Sequence, residues 1–305
     1  MNCQFSSLEQ EALLHIVGPD SLKFLQGQTS CDTRKIDPNH ALPGIFCTPQ
    51  GRVVCDFLLF EIGKNHFALR LRRDIRMNSS ASFGKYIIFS KADIEDSRED
   101  WKPVGIWGTA AKEALTELFG EIPTERFGAT AGEGYVLVQL DESGQQFECY
   151  LQETTAQDLL LRMGELMQLG TECEWQAAQI TSGLPRIEAA TIEEFVPQTL
   201  NYDLTGHINF KKGCYTGQEV VARLHYLGKP KRRTYVATLP AETNTSAGNP
   251  VFDATSGKNV GNIVNSCVAL GKTHALVAAT TAGAGNGLQL DSTSGDPLLL
   301  GNLPY

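Results

Sequence analysis

The sequence predicts an α+β protein of three domains, with a ferredoxin-like middle domain and a small β-barrel at the C-terminal end. Three observations predict it. The chain has 305 residues, more than one small core organises. Residues 101–172 read as strand, helix, strand, strand, helix, the order of an open-faced α+β sandwich. From residue 229 the chain breaks into short apolar segments separated by Gly, Ser, Thr and Asn, the pattern of a small barrel.

Residues 12–18 predict a strand ending at Gly18-Pro19, and residues 21–26 a helical turn begun at Asp20. Pro49-Gln50-Gly51 is a turn, and residues 53–60 and 67–71 form a hairpin across Gly63-Lys64-Asn65. Asp56 is a charge inside the first of these apolar strands. The middle domain opens with a strand at 103–108. Thr109 is placed to cap a helix that Gly120 stops. Residues 134–140 and 146–151 are strands joined by Asp141-Glu142-Ser143-Gly144, and residues 155–169 an amphipathic helix ending at Gly170. Residues 173–180 continue as helix into Gly183-Leu184-Pro185-Arg186. The barrel strands fall at 234–239, 260–270 and 275–280, and residues 280–285 read as a surface loop.

The stretch Lys211-Lys212-Gly213-Cys214-Tyr215-Thr216-Gly217-Gln218-Glu219 carries the clearest chemistry. Thr216 and Glu219 have capping-box spacing before Val220-Val221-Ala222, which predicts a helix to about residue 224. Cys214 then lies just upstream of a helix N-terminus beside two lysines, a setting that favours thiolate. The same string also fits a small cysteine in a turn with solvated lysines.

Net charge is −9, which excludes a general nucleic-acid-binding surface. The cations cluster instead: Lys211, Lys212, Arg223, Lys229, Lys231, Arg232 and Arg233 in one stretch, Arg70, Arg72, Arg73 and Arg76 in another. Both suggest local anion sites. No run of apolar residues is long enough for a membrane span. Met1-Asn2-Cys3-Gln4-Phe5 lacks the basic and apolar regions of a signal peptide. Eight scattered cysteines without a Cys-x-x-Cys predict reduced thiols in a cytoplasm and no metal site.

The Lys-Lys-Gly-Cys-Tyr-Thr-Gly-Gln-Glu string resembles the signature of the YgfZ family. Those are folate-binding proteins related to the aminomethyltransferase (T-protein) of the glycine cleavage system, and they include a mitochondrial iron–sulfur assembly factor. Further matches are Ile16-Val17-Gly18-Pro19-Asp20, Phe24-Leu25-Gln26-Gly27-Gln28, Gly183-Leu184-Pro185 and Phe195-Val196-Pro197-Gln198. The resemblance implies an aminomethyltransferase-like architecture. Residues 1–100 and 173–228 would form a discontinuous folate-binding domain, residues 101–172 the ferredoxin-like domain, and residues 229–305 the barrel.

The resemblance also implies site residues. Cys214, Lys212 and Asp56 would stand at the chemistry, with a thiol-dependent, transferase-like activity left open. Trp175 would stack on a pterin. Asp56, Gln198, Asn201, Lys211, Tyr215, Gln218, Glu219 and Arg223 would complete the site for tetrahydrofolate or a one-carbon derivative, polyglutamated or not. Asp56 matches the second Asp of the transferases' Gly-x-x-x-Asp-Asp segment, with Cys55 in place of the first. Thr181 stands where the transferases place a pterin-binding Glu, and Glu11 where some members carry Trp. The implied role is an accessory factor for iron–sulfur enzymes such as tRNA methylthiolases, acting as a monomer away from membranes. An aminomethyltransferase and a non-catalytic module docking RNA or protein are the alternatives, and direct tRNA contact is left open.

Overall fold

The computed structural model describes residues 2–240, 243–291 and 295–305. The chain divides into two compact units. One holds Met1–Gly44, Phe57–Trp175 and Lys211–Gly213; the other holds Ile45–Asp56, Gln176–Phe210 and Cys214–Tyr305.

In chain order the first elements are β1 (Gln4–Ser7), β2 (Glu11–Val17), α1 (Ser21–Gln28), β3 (Leu42–Cys47), β4 (Val53–Gly63) and β5 (His66–Arg72). Next come α2 (Arg76–Ile87), β6 (Asp93–Glu95), β7 (Trp101–Trp107), α3 (Ala111–Phe119), β8 (Ala129–Gly132) and β9 (Tyr135–Gln139). Then follow β10 (Gln146–Gln152), α4 (Glu153–Leu166), β11 (Gln168–Leu169) and α5 (Glu172–Thr181). One sheet runs β3-β4-β5-β2-β6, and the division between the units falls inside β3 and β4. The other runs β11-β1-β7-β10-β9-β8. The predicted strand–helix–strand–strand–helix elements are present as β7, α3, β9, β10 and α4, with the unpredicted strand β8 inserted between α3 and β9. The N-terminal β1 extends this sheet by pairing antiparallel with β7, Gln4 opposite Trp107.

α3 and α4 cover one face of this second sheet, burying Leu115, Leu118, Leu159 and Met163 against Val104, Ile106, Phe147 and Cys149. Where the two sheets of the first unit meet, Phe60 stacks on Tyr150 with centroids 4.1 Å apart. Beside them Arg70 Nε donates to Glu148 Oε2 at 2.7 Å, while Glu11 lies 3.8 Å from Arg70.

Several elements differ from the sequence expectation, in which β1, α2, β6 and β8 have no counterpart. Ala110, not Thr109, is the N-cap of α3. α4 stops at Leu166 because Gln168 and Leu169 extend and pair parallel with Gln4 and Phe5 of β1. Residues 281–286 are not a loop: they form the short helix α7 (Thr281–Asn286), capped by the Thr280 hydroxyl accepting from Gly283 N–H.

In the second unit, α6 (Gln218–Leu227) precedes the barrel strands β12 (Arg232–Pro240), β13 (Pro250–Asp253), β14 (Asn259–Ala269) and β15 (Lys272–Thr280); β16 (Leu288–Gln289) and β17 (Pro297–Leu300) follow α7. The barrel closes in the order β12-β15-β14-β13-β16-β17. Val251, Ile263, Ala275, Val277 and Leu288 fill it. Among the described residues, no helix is long and apolar enough to cross a membrane.

Candidate functional site

Within the first unit, Lys212 is buried, and its Nζ donates to the carbonyls of Gln26, at 2.7 Å, and Thr29. These carbonyls belong to the last turn and C-cap of α1, where a helix presents unsatisfied acceptors and the negative end of its dipole. The surrounding loop is fixed independently. Gln26 Oε1 accepts from Thr33 N–H and its hydroxyl, Gln26 Nε2 donates to Asp32, and Arg34 clasps Asp32 with two hydrogen bonds of 2.8 Å. Burial lowers the Lys212 ammonium from its ordinary 10.5 to about 8. The sequence singled out the Gln26 segment and Lys212 separately; the fold makes them one structure.

Trp175 is also a packed residue of this unit, 3% exposed. Its indole lies flat on Gly105 of β7, where an added Cβ would meet ring atom Cδ2 at 2.5 Å. Trp107 lies beside it, with centroids 5.7 Å apart. Thr171 and Glu174 start α5 with a capping box, each side chain bonding the other's backbone N–H. That Thr-x-x-Glu signal was legible in the sequence and was missed.

In the second unit the signature turns tightly. Gly217, not Thr216, is the N-cap of α6, with φ 83° and no side-chain cap bond. A Cβ there would meet Thr48 O at 2.5 Å and Cys47 Cβ at 3.0 Å, so the close approach of the 48–51 turn demands glycine. Gly51, φ 72°, meets Val220 in the same way. Tyr215 is buried, and burial with the neighbouring Cys47 pushes its phenol up. Cys214 is exposed, as is Cys173, while the other six cysteines are buried. Lys211, Glu219 and Arg223 are exposed and Gln218 is half-buried.

Gln198 and Asn201 hold backbone. Gln198 Nε2 donates to Val221 O at 2.8 Å, which leaves its buried Oε1 without a partner among the described residues. Asn201, φ 57°, donates to Thr234 O at 2.9 Å. Arg233 beside it is paired with Asp203 at 2.6 Å.

Asp56 is 2% exposed. One oxygen accepts from Arg186 Nε at 2.5 Å and the other from Ile187 N–H at 2.6 Å. Asn265 then clasps the Arg186 backbone through both its N–H and carbonyl, and Tyr202 donates to Pro185 O at 2.9 Å. Asp56 therefore anchors the Gly183-Leu184-Pro185-Arg186 segment. Arg186 was a partner the sequence offered no reason to choose. Thr181 donates back to Ala177 O of its own helix at 2.8 Å.

The arginine cluster at 70–76 is not an open anion site. Arg70 is committed to Glu148 and Glu11, and Arg73 and Arg76 both reach Glu99. Among the described residues, no group of three or more His, Cys, Asp or Glu is placed to hold a metal ion.

The family described as the GCVT N-terminal domain matches residues 5–133. The chain is 34% identical over 242 residues to the tRNA-modifying protein YgfZ of Escherichia coli, covering 79% of this chain and 74% of that protein. It is 32% identical over 243 residues to the protein of the same name from Pectobacterium atrosepticum, covering 80% and 72%. In structure it resembles the glycine cleavage system aminomethyltransferase T of Bartonella henselae. The TM-score is 0.76 over 99% of this chain and 86% of that one, at 14% identity, which establishes a common fold.

Proposed function

We propose that this chain, which belongs to the family of YgfZ tRNA-modifying proteins, is a cytoplasmic tetrahydrofolate-binding accessory protein that serves iron–sulfur enzymes of tRNA modification such as methylthiolases. The observation that carries the folate part is Gln198 Oε1, a buried acceptor with no partner among the described residues. An unpaired buried acceptor costs about 1–3 kcal/mol. The N–H groups of a pterin edge would satisfy it. Arg223, exposed on α6, is available to the glutamate tail. Tetrahydrofolate supplies one-carbon chemistry when bound. The protein's own contribution is a thiol: Cys214 is exposed while Lys212 and Tyr215 on either side of it are buried. That pattern suits a thiol displayed for a partner or substrate.

Bulk aminomethyl transfer fits less well. Both oxygens of Asp56 are taken by Arg186 and Ile187, and Thr181 bonds its own helix. The test has two arms. Equilibrium titration of reduced folates should show roughly tenfold weaker binding in Gln198→Met, as expected for removal of one buried hydrogen bond; equal affinity removes Gln198 from the site. A deletion strain should lose tRNA methylthiolation and keep glycine cleavage. Wild type should restore the modification and Cys214→Ala should not. Full rescue by Cys214→Ala overturns the thiol role.

A further inference from the structure

We infer that the C-terminal end of α6 and the linker after it form a docking surface for single-stranded RNA, a reading that rests on the proposed role in tRNA modification. Three rings meet there. Phe210 stacks on His225 with centroids 3.7 Å apart and planes 13° from parallel, and Tyr226 meets both edge-on, at 6.3 Å from Phe210 and 4.8 Å from His225. Tyr226 is 66% exposed, and Leu227 beyond it 83%. An aromatic cluster this open in water is unusual for a residue whose only task is packing.

The charge around it has one sign. Lys229, Lys231 and Arg232 follow within six residues and are all exposed. None makes an ion pair among the described residues, although the protein as a whole is acidic, with net charge −9. From Val220 to Pro240 the sequence contains no Asp or Glu. Arg70, Arg73, Arg76, Arg98 and Arg233, by contrast, are each paired with a carboxylate. The four-arginine cluster is neutralised within the fold; this one is left for an external anion.

Exposed rings interleaved with unpaired cations are the chemistry of single-stranded nucleic acid. Bases stack on the rings while phosphates take the cations, and unstacked loop bases are what RNA offers for such recognition. An acidic protein would use the cations but has no need of an exposed aromatic cluster. The surface therefore fits an RNA loop or end in preference to a duplex or a peptide.

The test uses the full chain without folate, binding a single-stranded oligoribonucleotide of about ten nucleotides, within the usual site size. An acidic peptide of equal charge serves as the comparison. Tyr226→Ala should weaken RNA binding about tenfold, in the range of one base stack removed. The triple variant Lys229→Gln, Lys231→Gln, Arg232→Gln should flatten the dependence of log K on log salt by about 2, near 0.7 for each phosphate no longer neutralised. All four side chains are exposed, so circular dichroism should be unchanged. Equal RNA binding in both variants, or peptide binding as tight as RNA and insensitive to Tyr226→Ala, overturns the inference. Cys214→Ala should bind RNA like wild type. A failure of the thiol role in cells and a failure of RNA docking are thus separate results.

Discussion

Replacing Lys212 by Met tests the buried ammonium directly. Met keeps much of the apolar stem and removes the charge. At pH 7 two effects oppose each other: the Gln26 and Thr29 carbonyls lose their donor, at about 1–3 kcal/mol each, while a desolvated cation is removed. Stability at one pH is therefore undecided, and its change with pH is the informative quantity. Burial brings the folded-state value from 10.5 to about 8. The folded chain thus gives up this proton at lower pH than the unfolded chain, and unfolding takes up a proton between about pH 8 and 10.5. Raising the pH through that window favours the folded state. The gap corresponds to about 3 kcal/mol when fully expressed. Buried cysteines and tyrosines also titrate at alkaline pH, but they are common to both proteins and cancel in the difference. Urea unfolding of wild type and Lys212→Met from pH 7 to 10 should show wild type gaining roughly 2 kcal/mol relative to the variant by pH 10. A flat difference, or one of opposite slope, would mean that the ammonium is not desolvated at the α1 C-terminus.

Native alkylation with peptide mapping should label Cys214 and Cys173 and leave the six buried cysteines unmodified until the chain is unfolded. Labelling of Cys47 or Cys149 at a rate matching Cys214 would contradict their burial. Gly105→Ala should destabilise the first unit by about 1–3 kcal/mol through overpacking, because its Cβ would fall 2.5 Å from the Trp175 ring. It should also shift tryptophan emission; an unchanged spectrum and melting temperature would show that the indole does not lie on β7.

Much of the fold was legible because its signals are local. The hairpin of β4 and β5, the elements β7, α3, β9, β10 and α4, and the three long barrel strands β12, β14 and β15 follow from alternation, turn residues and helical period, which neighbouring positions impose on each other; the short strands β8, β13, β16 and β17 carried too little pattern to be read. The signature around Cys214 was equally plain, and with it the family. The local reading failed where a distant segment intervened. Thr216 had the chemistry of a cap, yet Gly217 takes the position, because the turn at Thr48 comes too close for any Cβ. The helix predicted to residue 169 ends early because β1, more than 150 residues away, offers Gln168 and Leu169 a strand to pair with.

The charged candidates divide in the same way. By itself the sequence determined that Lys212, Asp56 and the arginines at 70–76 exist in an acidic chain, and which of them stand near Cys214 along it. Only the tertiary structure decided what each one does. A buried charge must find partners or be neutralised, a carboxylate by gaining a proton and an ammonium by losing one. Those partners, the α1 carbonyls for Lys212, Arg186 for Asp56 and Glu148 for Arg70, lie 78 or more residues away, in segments whose approach no local pattern encodes.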